Sequence, residues 1–212
     1  VNERPLVAVL DYGIGNLASA QKALVHEGAD ARLTADHGLI GEAAAVVLPG
    51  VGAFGACMGA LRHADLEEVA VDAAASGRPF FGICVGMQML FDGSEESPGV
   101  AGLGVIAGTI TWIPPGVKRP QMQWNILDIR QRDDPMFAGL PAEPWVYFVH
   151  SLHGVPTDPG AVAATCDYGA ALTAAVRVDN IFATQFHPEK SSGAGLAVLR
   201  NFVAMAAGLV TA

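Results

Sequence analysis

Apolar and polar positions follow one another in blocks along this chain, and the blocks change character near its middle. In the first half, short apolar runs bounded by Gly, Pro or Asp read as strands: "LVAVLDY", "ADARLT", "AAAVVLPG" and "RPFFGIC". Longer mixed stretches separate them. "GNLASAQKALVHEG" predicts a helix ending at Gly28, and "FGACMGALRHADLEEVAVDAAASG" predicts one long helical segment ending at Gly77. Behind "RPFFGIC" another helix is expected to start over Val85 to Phe91. Short strands joined by helices imply a parallel sheet covered on both faces.

The second half is richer in strand patterns. "LGVIAGTITWI", "QMQWNILDIR", "WVYFVHSL", "GAVAATCDYG", "LTAAVRVDN" and "IFATQFHP" are separated by Pro, Gly and Asp, and a helix, "GAGLAVLRNFVAMAAG", closes the chain. No linker-like or low-complexity stretch parts the halves. The expectation is a single α/β domain over residues 1–212. It should be a three-layer sandwich with a mostly parallel central sheet and antiparallel additions in the second half.

Composition narrows the function classes. With 51% apolar and 16% charged residues in 212, much of the chain should be interior. Glu, Asp, Arg, Gly or Pro interrupts every apolar run before it reaches bilayer-spanning length. The opening "VNERPLVAVLDYG" has no cleavable-signal architecture. The net charge is −9 and the twelve basic residues are scattered, which argues against nucleic-acid binding and against an unaided site for a highly phosphorylated substrate. Cys57, Cys84 and Cys166 are spaced too widely for a metal cluster or a disulfide framework, so a reducing cytoplasm is the expected compartment.

One of these cysteines stands apart. Gly82-Ile83-Cys84-Val85-Gly86 joins a strand to a helix with the layout of a nucleophile elbow, sulfur replacing the hydroxyl. A sharp turn exposes the nucleophile, flanking glycines let neighbouring backbone approach, and the amides of a helix start favour thiolate over thiol. The Val85 amide would point at the carbonyl oxygen under attack. A buried cysteine in a tight turn is the plainer alternative, since free Cys is among the most buried residue types.

A nucleophilic thiol needs a base, and the base needs an orienting group. "QFHPEKSS" supplies His187 and Glu189. On an extended segment, residues two apart share a face, and Pro188 should keep the segment extended. Glu189 then holds the His187 ring. The other histidines lack such partners: His26, His37 and His63 read as surface residues, while His150 and His153 either line a pocket or cap a strand. Cys57 and Cys166 read as core filling.

"LPGVGAFG" follows the third strand, on the sheet edge that also carries Cys84, where open α/β sheets bind ligands. Its glycines can aim backbone N–H groups at a developing oxyanion, or form an ordinary loop. A rival signal lies in "DYGIGNLASA". Gly13, Gly15 and Ala18 match the spacing of a dinucleotide fingerprint, with Asp36 as a candidate ribose-binding acid, which would make the chain a nucleotide-binding Rossmann-like module. The pattern is short, and no basic residue accompanies it.

Together, "GICVGMQ", "QFHPEKSS" and "PGVGAF" resemble the class I (triad-type) glutamine amidotransferases, which have a flavodoxin-like architecture. "DYGIGNL", PGVG in place of the commoner PGG, "SEESPGVAGLGVI", "QMQWN" and "YFVHS" resemble, more narrowly, the glutaminase subunits of imidazole glycerol phosphate synthase. The MQWN and YFVHS segments set aside the glutaminase subunit of pyridoxal phosphate synthase. The resemblance implies Cys84 as nucleophile, His187 as base and Glu189 as its orienter. It implies an oxyanion hole at Val51, Gly52 and Val85. Glutamine would be held by Gly50, Gln88, Glu96, His150, Ser151 and Leu152, the last three mainly through backbone. It implies no cofactor and no metal. It also implies a (β/α)8-barrel cyclase partner that receives ammonia in a heterodimer, with Asn16, Gln123, Trp124, Asn125 and Lys190 on the partner side. The chain departs from the family at Gln123 (commonly Gly), Leu152 (often aromatic) and Val85 (commonly Leu).

Overall fold

The computed structural model describes residues 4–14 and 17–210. In chain order these form β1 (Leu6–Leu10), α1 (Leu17–His26), β2 (Asp30–Thr34), α2 (His37–Glu42), β3 (Ala45–Gly50), α3 (Phe54–His63), α4 (Glu67–Ala75), β4 (Phe80–Cys84) and α5 (Val85–Met89). There follow β5 (Phe91–Ser94), β6 (Ile106–Trp112), β7 (Gln121–Ile126), β8 (Asp128–Ile129), β9 (Trp145–His150), β10 (Leu152–Pro156), β11 (Val162–Asp167), β12 (Ala171–Val178), β13 (Ile181–Thr184) and α6 (Ser192–Ala206).

The central sheet runs β2-β1-β3-β4-β13-β12-β11-β8. Its first five strands are mutually parallel and the last three join antiparallel. Every residue of β3 and β4 is buried, which is why both read as continuous apolar runs rather than alternations. α1 packs with α6, while α2 and α3 pack with α4. Right-handed crossovers put α1 on one face of the sheet, where α6 packs beside it, and α2, α3 and α4 on the opposite face. Phe81 of β4 meets Phe182 of β13 and Phe202 of α6 at ring separations of 5.6 and 5.2 Å, fixing α6 to the sheet centre. Two smaller sheets, β10-β6-β5 and β7-β9, complete the described structure.

The expected long helix is broken. α3 ends at His63, Asp65 takes a positive φ of 58°, and α4 starts at Glu67. Leu61 and Leu66 are both fully buried. Five residues apart on one straight helix they would diverge by about 140°, so the break lets both reach the core. The helix behind Cys84 is also shorter than expected, five residues. The carbonyls of Met89 and Leu90 accept from Leu103, Val105 and Ile106 instead of a following helical turn, and the chain re-enters as β5. Neither α2 nor β10 was expected. Asp36 starts α2 by accepting from the Leu39 amide at 2.7 Å, so the carboxylate proposed for a ribose is committed to a helix cap.

β1 lies between β2 and β3, so the chain reverses its direction of travel across the sheet there. The crevice at the carboxyl ends of such strands is where α/β sheets bind ligands. The loops after β1, β3, β4 and β13 all emerge on that edge.

Candidate active site

Cys84 ends β4 between two strands that also end there. Gly50 of β3 is its register partner, and neighbouring Ile83 aligns with Thr184 of β13. Its backbone sits at φ 56°, ψ −112°, a conformation that costs a non-glycine residue energy and persists only where packing enforces it. The flanking glycines supply that packing. A Cβ on Gly86 would lie 1.8 Å from the Leu48 carbonyl oxygen, and one on Gly82 would lie 3.0 Å from both Ala183 Cβ and Leu90 Cδ1. Close approach is thus what the glycines provide here.

The segment after β13 brings His187 to the same edge. Its Nδ1 meets Glu189 Oε1 at 2.8 Å, with both side chains almost wholly buried. The reason differs from the expected one. Pro188–Lys190 is a turn of 3-10 helix with His187 as its cap, so the partners meet across a turn rather than along an extended strand. With Nδ1 committed to the carboxylate, Nε2 is left for the Cys84 thiol, which lines the same cleft. Burial alone would push His187 down. The influence of Cys84 and Glu189 outweighs burial and holds it up at about 9.

This turn hangs from β9. The His187 amide donates to the Tyr147 carbonyl at 3.1 Å, and the Tyr147 amide donates to Ser191 Oγ at 2.9 Å. Ser191 Oγ in turn donates to the His187 carbonyl at 2.6 Å. β9 pairs along its length with β7, which carries Gln123, Trp124 and Asn125.

Cys84 and His187 open into a cleft of about 460 Å3. Val51, Gly52, Val85, Gln88 and Glu96 line it. His150, Ser151 and Leu152 line it where β9 passes into β10, and Lys190 stands at its exposed rim. Gly50 is placed beneath the cleft, packed on Gly86 and Tyr12. Glu96 Oε2 accepts from the Phe54 amide at 2.8 Å, which fixes the carboxylate in the wall. His150 is buried between the Leu152 carbonyl (2.7 Å from Nδ1) and the Gln121 side-chain amide (2.8 Å from Nε2). Burial pushes it down to about 4 despite the Leu152 hydrogen bond, with His153 and His187 adding to the effect. Burial therefore favours its uncharged form, the reverse of the balance at His187.

Sequence reasoning passed over Gln185. Its Nε2 lies 3.7 Å from Cys84 Sγ, and its Oε1 accepts from Gln88 Nε2 at 2.9 Å. Its position two before His187 on the strand-like run was the available signal. His26, His37 and His63 are exposed and Cys57 and Cys166 are buried, as expected. Gln123 and Trp124 are exposed, while Asn125 donates to the Asp167 carbonyl at 2.8 Å. Asn16 and Gly15 lie outside the described residues. Among the described residues no cluster of His, Cys, Asp and Glu is placed to hold a metal ion.

A thiol held on a strained turn, an imidazole with a buried carboxylate behind it and a fixed acid in the same cleft suit acyl transfer from a small zwitterionic amide. Residues 8–206 match the family model described as glutamine amidotransferase class-I. The chain belongs to the class I glutamine amidotransferase family. Within it, the chain is 50% identical over 202 residues to imidazole glycerol phosphate synthase subunit HisH of Acaryochloris marina, covering 94% of each chain. It is equally identical over 198 residues to HisH of Methanothermobacter thermautotrophicus, covering 93% of this chain and 98% of that one. Solved structures share the amidotransferase fold. A glutamine amidotransferase aligns with TM-score 0.74 at 22% identity, covering 95% of this chain and 98% of that one. PurLQS from Thermotoga maritima aligns at TM-score 0.76 and 20% identity, covering 94% of this chain and 97% of that one.

Proposed function

We propose that this amidotransferase, read as one domain over residues 1–212, is the glutaminase subunit of imidazole glycerol phosphate synthase. It hydrolyses glutamine to glutamate and ammonia through Cys84, His187 and Glu189. Proton transfer from Cys84 to His187 generates the nucleophile. Attack on the side-chain amide carbon forms a tetrahedral intermediate whose oxyanion is received by backbone amides of Val85 and the Val51–Gly52 turn. His187, already carrying a proton, gives it to the leaving nitrogen, and ammonia departs from a thioester. Water activated by the same ring then releases glutamate. Glu189 stabilises the imidazolium at each stage. Glu96 and Gln88 hold the amino-acid portion of glutamine, with Gly50 shaping the floor and His150, Ser151 and Leu152 offering backbone polar groups.

The single observation that carries this reading is the meeting of Cys84 with the hydrogen-bonded His187–Glu189 pair in one cleft sized for an amino acid.

Ammonia released into neutral water becomes ammonium, which has no lone pair for attack, so a synthase must receive it through a shielded path. We assign the receiving role to a (β/α)8-barrel cyclase subunit bound as a heterodimer. It yields imidazole glycerol phosphate and aminoimidazole carboxamide ribotide, the step that serves histidine biosynthesis. Support comes from the exposed apolar side chains Met122, Trp124 and Trp145 on the β7–β9 sheet, which partner burial would account for. Gln123, Asn125, Lys190 and Asn16 are assigned to the same side. The three free cysteines suit a cytoplasmic setting. Among the described residues no helix is long and apolar enough to cross a membrane. The test is glutamine hydrolysis by the purified chain, alone and with the cyclase subunit and its nucleotide ligand. Activation by the liganded partner is expected, and no hydrolysis in any combination would contradict the reading.

A further inference from the structure

The turn assigned to the oxyanion is gripped from behind by two side chains that do not line the cleft. Tyr12, buried just after β1, donates its hydroxyl to the Pro49 carbonyl at 2.6 Å and rests 3.8 Å from Met89 Sδ. Cys57, buried in α3, donates its thiol to the Val51 carbonyl at 3.2 Å.

A peptide unit is planar, so holding a carbonyl also sets the direction of the next residue's N–H, on the opposite side. Tyr12 thereby sets the Gly50 amide and Cys57 the Gly52 amide. Gly50 has no room to retreat, since a Cβ there would lie 2.7 Å from the Gly86 nitrogen and 3.0 Å from the Tyr12 hydroxyl. Burial raises both the phenol and the Cys57 thiol above their ordinary ranges, so both keep the protons they donate.

We propose that Tyr12 and Cys57 are positioning residues that hold the Pro49–Gly52 turn, the segment assigned to the oxyanion, through its Pro49 and Val51 carbonyls. The proposal rests on the glutaminase reading above. It separates two kinds of Cys84 chemistry. Glutamine hydrolysis passes through an oxyanion, whereas alkylation by iodoacetamide displaces iodide from carbon and does not.

The experiment uses the chain together with the liganded cyclase subunit. It compares wild type with Tyr12→Phe, Cys57→Ser and Cys57→Ala by steady-state glutamine hydrolysis and by the rate of Cys84 alkylation, read on the Cys84 peptide by mass spectrometry. For Tyr12→Phe, kcat should fall about tenfold, a fraction of the loss expected for deleting an oxyanion donor outright. The KM for glutamine should stay within about twofold, because ground-state binding is untouched. Cys84 alkylation should match wild type. Cys57→Ser, which keeps a donor, should retain more kcat than Cys57→Ala, and this pair decides the matter if Phe at position 12 prevents folding. Unchanged kcat in Tyr12→Phe and Cys57→Ala overturns the proposal, as does a loss of alkylation in parallel with kcat. A wild type that alkylates at Cys84 but never hydrolyses glutamine overturns the glutaminase reading instead.

Discussion

His187 and Glu189 are joined Nδ1 to Oε1 at 2.8 Å, and both side chains are almost completely withdrawn from solvent. Little water screens the pair, so the carboxylate acts strongly on the ring and, with Cys84, holds it up at about 9 against burial. Glu189→Gln keeps the shape and removes the charge. The His187 pKa should fall, moving the alkaline limb of the glutaminase pH profile to lower pH. The rate should drop about a hundredfold or more, in the range of positioned acid–base catalysis. Ring titration by NMR checks the shift, and an unmoved inflection would contradict it.

His187 and His150 together give stability a pH optimum. His187 is raised from the ordinary 6.5 to about 9, so its contribution is complete below pH 6.5 and disappears as pH rises through 9. His150 is pushed down by burial to about 4, so its contribution is present above pH 6.5 and disappears as pH falls through 4. Urea unfolding across this range should show greatest stability near neutrality, with each arm on the order of 3 kcal/mol. His150→Gln should flatten the acid arm and His187→Gln the alkaline arm.

Gly86 and Gly59 make opposite predictions for one substitution. A Cβ at Gly86 collides with the Leu48 carbonyl, so Gly86→Ala must displace either β3 or α5 and should cost about 3 kcal/mol together with most activity. Gly59 sits on the exposed face of α3 with nothing within 4 Å of a Cβ. Gly59→Ala should stabilise by about 0.5–1 kcal/mol through helix propensity alone. Thermal unfolding of both variants provides the comparison.

Trp124 is 43% exposed on β7, with its ring edge-on to Tyr147 of β9 at 6.1 Å. Tyr147 is also the residue whose backbone carries the His187 turn. Trp124→Ala should weaken binding of the cyclase subunit by about tenfold or more, as truncating an aromatic anchor does. Titration calorimetry measures this, and the variant's own unfolding midpoint should move less than for truncation of a fully buried ring such as Phe148, because Trp124 is already 43% exposed.

The elements that positioned the site were legible because they are buried on both faces. β3 and β4 announce themselves as unbroken apolar runs, and the elbow between Gly82 and Gly86 is marked by glycines that only close backbone contact requires. What stayed hidden depends on contacts distant in sequence. The break at Asp65 serves the burial of both Leu61 and Leu66, and α5 stops because residues 103–106 take its last carbonyls. β10 contains Gly154 and ends in Pro156, and only pairing with β6 makes it a strand. At the site, the spacing of His187 and Glu189 indicated the pair but not the turn that forms it. Gln185 and Tyr12 act through partners about a hundred and about forty residues away, at separations no local pattern records.

Replacing Cys84 by Ala tests the account most directly, because it deletes the sulfur and leaves the elbow's packing intact. The Cys84→Ala chain, bound to its liganded cyclase subunit, should show no glutamine-dependent turnover while still forming product from added ammonium salts at raised pH. Glutamine-dependent turnover near the wild-type rate would contradict the assignment of Cys84 as the nucleophile.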